Sequence, residues 1–475
     1  MSGMEHVKSW IAARGKAKVA AGVVAGVLVA AGIAAALALS SSRNLREAVP
    51  SSEGKASSTI SPKAKTGCGR TAAGIMDANG RPYRGLHFAP VAVAMDTYGN
   101  IYILSAQIWV LSARNETLFG IRLRQSHIYS LVASPPYPAH YEPPAPLGYV
   151  HSGHPAELFP GGNISQLAVG PNSGVFFTAG WNGGSSIFLL ASRNETRFGK
   201  RMQAGHIYPV VGNGKPGWWR FGGNGGPATK AGLGDPAGMA VDSRGNLYIA
   251  QMGGPGAVWV VAAHNEQLFG KAMKQGNIYL IAGGLASPQS GKPYSSIRSG
   301  IPGTAAFTGP ASDVAVDSSS NAYMDASRMI AAQKESMWGF KMKAGDIYTI
   351  AHGHAGGRFI ALGAHRNIFV ANYFRNNMVQ MIANYSETRF GIRMKAGHVY
   401  TVAGNTARGC TGNGGPATEA ELNKPASLAL GKHGNLYIAD EGNGVVQVVA
   451  ARNETRFGIP MKTGCLYTIV AQRKQ

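Results

Sequence analysis

Six copies of one short unit constrain this chain more than any other feature. In the last copy, Pro425-Ala-Ser-Leu-Ala-Leu is followed by a Gly-Lys-His-Gly-Asn turn and then Leu436-Tyr-Ile-Ala-Asp. A Gly-rich turn, Val445-Val-Gln-Val-Val-Ala-Ala, a loop from Arg452 to Lys462 and Cys465-Leu-Tyr-Thr-Ile-Val complete the unit. Each apolar run spans four to seven residues, is rich in Val, Ile and Tyr, and is bounded by Gly, Asn or Pro, so it reads as a short strand and not a helix. The Tyr of the fourth run recurs as Tyr129, Tyr208, Tyr279, Tyr348, Tyr400 and Tyr467. A second marker, Gly99-Asn-Ile-Tyr, returns at Gly245 to Tyr248, Asn321 to Tyr323, Asn367 to Phe369 and Gly434 to Tyr437; the second unit is degenerate, with Gly174-Val-Phe.

A four-stranded unit cannot bury an apolar face by itself, so the copies are expected to pack radially as blades. The sequence therefore predicts an all-β, six-bladed β-propeller of four-stranded antiparallel blades, near residues 87–133, 163–212, 235–284, 310–352, 357–404 and 425–472. The run Pro236-Ala-Gly-Met-Ala-Val-Asp-Ser-Arg-Gly-Asn-Leu-Tyr-Ile-Ala250 resembles the NHL repeat. Gly223-Asn-Gly-Gly-Pro-Ala-Thr and Gly412-Asn-Gly-Gly-Pro-Ala-Thr resemble loops of bacterial NHL-type propellers. That resemblance covers residues 87–472 and implies the fold; such propellers serve as binding platforms, sensor domains, lyases and lactonases alike.

The N-terminus adds a second expectation. Residues 1–18 are basic, with Lys8, Arg14, Lys16 and Lys18, and residues 19–39 carry no charge, which is about one membrane crossing. The positive-inside rule places residues 1–18 in the cytoplasm, 19–39 as a signal-anchor and the remainder outside the cell membrane. Cleavage after an Ala36-Leu37-Ala38 site would instead give a secreted protein. Residues 40–66, rich in Ser, Lys and Pro, read as a flexible linker to a propeller at 67–475. Of the three cysteines, Cys68 precedes the first blade and Cys410 precedes the last, so a Cys68–Cys410 pair would close the ring.

Blade-to-blade connections differ most in length, so selective contacts are expected on the face they share with the turns after the second strands. The candidates there are Trp218, Trp219, Arg220 and Phe221, together with Gln251, Asn372 and Asp440, which with Ser105 end second strands and are expected at the channel mouth. A lactonase or lyase would need carboxylates or a His base converging there. Only Asp440 is acidic in register, with Asp325 one residue out, and His127, His206 and His398 share one scaffold position. No catalytic or metal-ligating constellation and no cofactor motif emerges.

The connection between third and fourth strands repeats with chemical meaning, as Arg193-Asn-Glu-Thr-Arg-Phe-Gly-Lys-Arg201 illustrates. It places Arg122, Arg124, Arg197, Arg201, Lys274, Arg389, Arg393, Lys395, Arg456 and Lys462, with Lys271, Lys341 and Lys343, on a basic rim opposite the long loops. This localises much of a formal charge of +22, from 45 Lys and Arg against 23 Asp and Glu. The expected partner is a protein or an anionic cell-envelope polymer, beside the membrane holding the N-terminal helix. Nucleic acid is not expected, because no stacking aromatics interleave with the cations. Phe119, Phe198, Phe390 and Phe457 read as packing plugs, and the propeller is expected to be monomeric. The alternative function is a streptogramin-lyase-like or gluconolactonase-like enzyme at the channel mouth.

Overall fold

The computed structural model describes residues 71–72, 74–132, 154–155, 163–181, 184–214, 222–253, 256–284, 299–306, 308–350, 357–374 and 376–472. They form six antiparallel blade sheets, each with four strands in sequence order from the axis outward, and in blades two and four a two-residue strand, His154–Pro155 or Ile301–Pro302, pairs outside the fourth. Blade one comprises Ala92–Met95, Ile101–Ser105, Gln107–Leu111 and Ile128–Val132, and blade six Pro425–Leu430, Leu436–Asp440, Val445–Val449 and Leu466–Ala471. The first strand of every blade touches the first strands of both neighbours, which closes the ring. The expected six-bladed propeller is thus present. Residues 19–39, the expected signal-anchor, lie outside the described residues; among the described residues no helix is long and apolar enough to cross a membrane.

The core lies between blades. Six apolar clusters each join facing sheets of adjacent blades, and the one uniting blades six and one includes Ile75 and Leu86 from the segment before the first strand. That segment performs the closure: the Ala72 amide donates to Ile469 and the Leu86 amide to Ala471, on the last strand of blade six. Cys410 is disulfide-bonded and Cys465 carries a free thiol. Cys68 lies outside the described residues.

One element is absent from the sequence expectation. The connection between third and fourth strands is a two-stranded hairpin in every blade, such as Glu195–Arg197 with Lys200–Met202. Its two-residue turn is Phe-Gly or Trp-Gly with positive φ at both positions, 51° at Phe198 and 75° at Gly199, which suits the twist of paired strands. A bulky residue in that conformation is unfavourable alone, but the ring compensates by burial. Phe119, Phe198, Phe269, Phe390 and Phe457 are buried, and the first four each set one aromatic edge against another at the start of the second strand. The hairpin also docks on the next blade, where the Phe119 amide donates to Ser192 and the Phe119 carbonyl lies 2.6 Å from where a Cβ on Gly205 would stand. The plug reading of these rings therefore holds.

The turn joining first and second strands supplies a latch at each of the six interfaces. In blades one, three and four it begins with Asp96, Asp242 or Asp317. Asp96 accepts hydrogen bonds from the amides of Tyr98 and Asn100, the Asn100 side chain and the Tyr102 hydroxyl. Burial, then the carboxylate, raises the Tyr102 and Tyr248 phenols well above their ordinary range, keeping them donors. The next blade adds one donor: Ser173 Oγ to Asp96 at 2.8 Å, Ser320 Oγ to Asp242 at 2.8 Å and Arg366 Nε to Asp317 at 2.9 Å. Blades two, five and six have Gly170, Gly363 or Gly431 instead, and their own hairpin arginine reaches forward. Arg197 donates to the Gly245 carbonyl at 3.0 Å, Arg389 to Gly434 at 3.0 Å and Arg456 to Gly99 at 2.8 Å.

These arginines correct the sequence expectation. Arg197, Arg389 and Arg456 do not belong to a solvated rim: Arg197 is 7% exposed, and desolvation lowers the pKa of Arg197 and Arg389. Their side chains leave the hairpin on its inner face, since alternate residues of a strand face opposite ways.

Replacing Arg197 by Ala leaves the Gly245 carbonyl without its donor and is expected to cost about 2 kcal/mol of unfolding free energy. Arg201→Ala, in the same hairpin but solvent-facing, should leave the denaturation midpoint unchanged. Equal losses in a urea titration would refute the latch. Non-reducing peptide mapping should recover Cys68 cross-linked to Cys410, with Cys465 alkylated; any other pairing removes the proposed ring closure.

Candidate binding face

First-to-second-strand turns and hairpins share one end of the propeller, as the contact of Arg197 with the Gly245 turn requires. On this end the outward hairpin face carries cations. Arg122, Arg124, Arg201, Lys274, Lys341, Lys343, Arg393, Lys395 and Lys462 are all exposed, and among the described residues none of them forms an ion pair. All nine belong to the rim expected from sequence, Lys341 and Lys343 carrying it through blade four. The contrast with Arg197 is set by the two-residue period: Arg197 pairs with Lys200 at the turn, whereas Arg201 stands opposite Thr196 on the outer face. Thr117 opposite Arg122, Thr388 opposite Arg393 and Ser336 opposite Lys341 repeat the arrangement. Each pair sets a hydroxyl beside a cation at cross-strand distance.

The hairpin carboxylates do not neutralise these cations because the fold draws them inward. Glu116, Glu335 and Glu387 each accept a bond of 2.6 Å from the side-chain amide of the turn asparagine, Asn100, Asn321 and Asn367. Glu454 does the same with Asn435, and its carboxyl is held below the usual range despite burial, by Asn435, His433 and Arg452. At the axis of this face a cavity of about 310 Å³ is bordered by Asp96, Asp242 and Asp317. Those carboxylates are already committed to the turns and latches described above.

The opposite end does not assemble the expected channel-mouth site. Ser105, Gln251, Asn372 and Asp440 are buried, at 2%, 0%, 4% and 0% exposure. A second strand lies one strand removed from the axis, and its end is covered by the chain entering the first strand. Ser105 Oγ donates to the Phe88 carbonyl, Trp259 donates to Gln251, and Asn372 donates to Gln380. Asp440 accepts from the Asn423 amide at 2.8 Å and from Asn443 Nδ2 at 2.6 Å, so it ties the preceding loop to its turn and makes no cap bond to the turn's own backbone. Asp325 pairs with Arg328. Trp218, Trp219, Arg220 and Phe221 lie outside the described residues.

Among the described residues no three His, Cys, Asp or Glu side chains come together in a way that could hold a metal ion. His127, His206 and His398 each place Nδ1 near 3 Å from a backbone carbonyl two residues earlier, in keeping with a shared scaffold position. What sequence reasoning missed on this end is a cation–aromatic group: Arg358 lies over the rings of Phe359 and Phe374, and Lys424 over Tyr373. Phe374 is 71% exposed. Its signal was the aromatic pair Tyr373-Phe374 at the turn after the second strand.

No family model and no curated protein matches the chain. Similar solved structures include a protein of unknown function from Bacteroides thetaiotaomicron, 12% identical, covering 80% of this chain and 74% of that one at a TM-score of 0.41. Virginiamycin B lyase from Staphylococcus aureus is 11% identical, with coverage of 78% and 83% and a TM-score of 0.37. Aldose sugar dehydrogenase from Streptomyces coelicolor is 13% identical, with coverage of 80% and 93% and a TM-score of 0.34. At these values the likeness bears on no functional assignment.

Burial raises the Asp440 carboxyl to about 7, against the opposing bonds from Asn423 and Asn443. The folded state therefore holds this proton more tightly than the unfolded chain, and the resulting stabilisation is full below about 4 and lost as pH rises through about 7. Wild-type protein should lose stability relative to Asp440→Asn over that interval. Parallel urea midpoints for the two proteins across it would contradict the assignment.

Proposed function

We propose that this protein is a rigid, NHL-like binding platform that engages an anionic polymer through its hairpin face. The observation that carries this reading is the set of nine exposed cations, contributed by all six blades, that form no ion pair among the described residues. Four of them stand beside a hydroxyl, so each offers an anionic group two kinds of donor. Cations spaced around a stiff ring attract an extended polyanion at long range without needing a pocket for each contact.

Export supplies the context. The uncharged run at residues 19–39, with basic residues before it, supports a membrane anchor that leaves the propeller outside, next to anionic envelope polymers. A disulfide at Cys410 suits an oxidising compartment. The lyase or lactonase reading relied on Asp440 and Asn372 at the channel mouth, and both are spent on hydrogen bonds within the fold.

Binding of the full-length protein to poly-glutamate, followed by calorimetry at several salt concentrations, tests the proposal. Affinity should fall as salt rises, and the triple variant Arg122→Glu, Arg201→Glu, Arg393→Glu should bind at least about tenfold more weakly. Undiminished binding by that variant would remove the hairpin face from consideration.

A further inference from the structure

Blade five departs from the other blades on the hairpin face, and its departures converge on one cavity. Its first turn reads Gly363-Ala-His-Arg-Asn367, where blade three has Asp242-Ser-Arg-Gly-Asn246. Arg366 shares its positive φ, 60°, with Ser173 and Ser320 at the same place in their turns, but His365 also takes the left-handed conformation, with φ of 56°, where Tyr98, Asn172, Arg244, Ser319 and His433 do not. A histidine so placed costs conformational energy that the surroundings must offset, a pattern found at ligand sites. Arg366 is held by Asp317 and by Ser319 Oγ at 2.9 Å, both on blade four. The His365 carbonyl accepts from Asn384 Nδ2 at 2.8 Å.

The hairpin entrance differs as well. Tyr385 stands where blades one, two and six carry Arg114, Arg193 and Arg452. In blade one the arginine covers the aromatic residue of the turn, with its guanidinium 3.9 Å above the Tyr98 ring. In blade five the His365 ring stacks on Tyr385 at 5.0 Å and 27°, and Tyr385 stays 57% exposed. A cavity of about 630 Å³ lies beside this pair, bordered by Ser318, Leu362, Arg366 and Asn384. That volume is in the range of small-molecule sites.

We propose that this cavity binds one sugar unit of an acidic polysaccharide whose neighbouring units lie along the basic rim. The inference rests on the polyanion reading and names the polymer class. A pyranose has an apolar C–H face and a girdle of hydroxyls, and the site offers a matching pair of surfaces. The stacked His365–Tyr385 rings present a flat apolar wall. Ser318 and Asn384 present polar groups suited to hydroxyls, while Asp317 and Arg366 beneath them are already bonded within the fold and offer no bare charge. Lys343 and Lys395, exposed at the hairpins of the two blades that form the cavity, take the anionic groups of adjoining units. A single-stranded nucleic acid would call for several stacking rings in succession. Among the described residues Tyr385 is the one strongly exposed aromatic on this face, since Phe88 and Phe374 belong to the opposite end.

Calorimetry on the full-length protein with polygalacturonate, poly-glutamate of matched charge and oligothymidylate tests the assignment. Polygalacturonate should bind about tenfold more tightly than poly-glutamate. Tyr385→Ala should erase that preference while leaving poly-glutamate affinity unchanged, and Tyr385→Phe should preserve it. Equal binding of both polymers by the wild type, or a preference that survives Tyr385→Ala, overturns the sugar site and leaves the rim reading intact. Failure to bind either polymer overturns both. Tighter, Tyr385-dependent binding of oligothymidylate would assign the cavity to a base instead of a sugar.

Discussion

Everything on the hairpin face depends on how one blade is latched to the next. Each interface needs one donor crossing it at the first turn, and the chain meets this requirement in two incompatible ways. Where the turn begins with Asp, the next blade supplies Ser173, Ser320 or Arg366, and the local hairpin position is Leu118, Leu268 or Met337. Where the turn begins with Gly, that hairpin position is Arg197, Arg389 or Arg456, and the next blade presents Gly245, Gly434 or Gly99. Volume enforces the choice. A Cβ on Gly170 would lie 3.1 Å from the Arg197 guanidinium, so the arginine occupies the space an aspartate would fill. A Cβ on Gly245 would lie 2.8 Å from the same group, and φ there is 90°. Three positions in two blades therefore change together.

The latches determine the charge of the surface. Inward-facing hairpin positions are used for Phe plugs and latching arginines, and the turn asparagines hold most of the hairpin glutamates. Acid is drawn in and base is left outside. The basic rim is thus partly a consequence of how blades interlock, which explains its recurrence in blade after blade. Its uniformity suits a repetitive ligand, whereas a compact protein partner would be recognised by a few dissimilar, desolvated residues.

The propeller was legible in the sequence because its strands alternate apolar residues with period two and end at Gly, Asn or Pro. The hairpins were not. Their strands are three residues long, and their turns are Phe-Gly where Asn-Gly is the usual signal. The alternation Glu-Thr-Arg before the turn and Ile-Arg-Met after it was the available clue. Composition alone could not separate Arg197 from Arg201, because the same side chain serves as a latch on one face and as a free cation on the other. The signal was present in the company Arg197 keeps, as it appears only with Gly170 before it and Gly245 after it. Ser105, Gln251, Asn372 and Asp440 were aligned correctly but placed wrongly, since register along a strand does not reveal which strand of the blade lies nearest the axis.

In a ring of near-copies, function concentrates where the pattern is broken at no gain to the latch. Blade five satisfies its own latch with Arg389, as blades two and six do, and completes that of blade four with Arg366. A serine at position 366 would have sufficed, as Ser173 and Ser320 show at the equivalent interfaces. Arg366 has a positive φ as Ser173 and Ser320 do, but His365 before it takes one as well, and Tyr385 replaces the arginine that covers the turn in blade one. Arg366 does bond to blade four, but His365 and Tyr385 stack on each other within blade five. His365 and Tyr385 line the same cavity, so the strain at His365 is better explained by a ligand than by the fold.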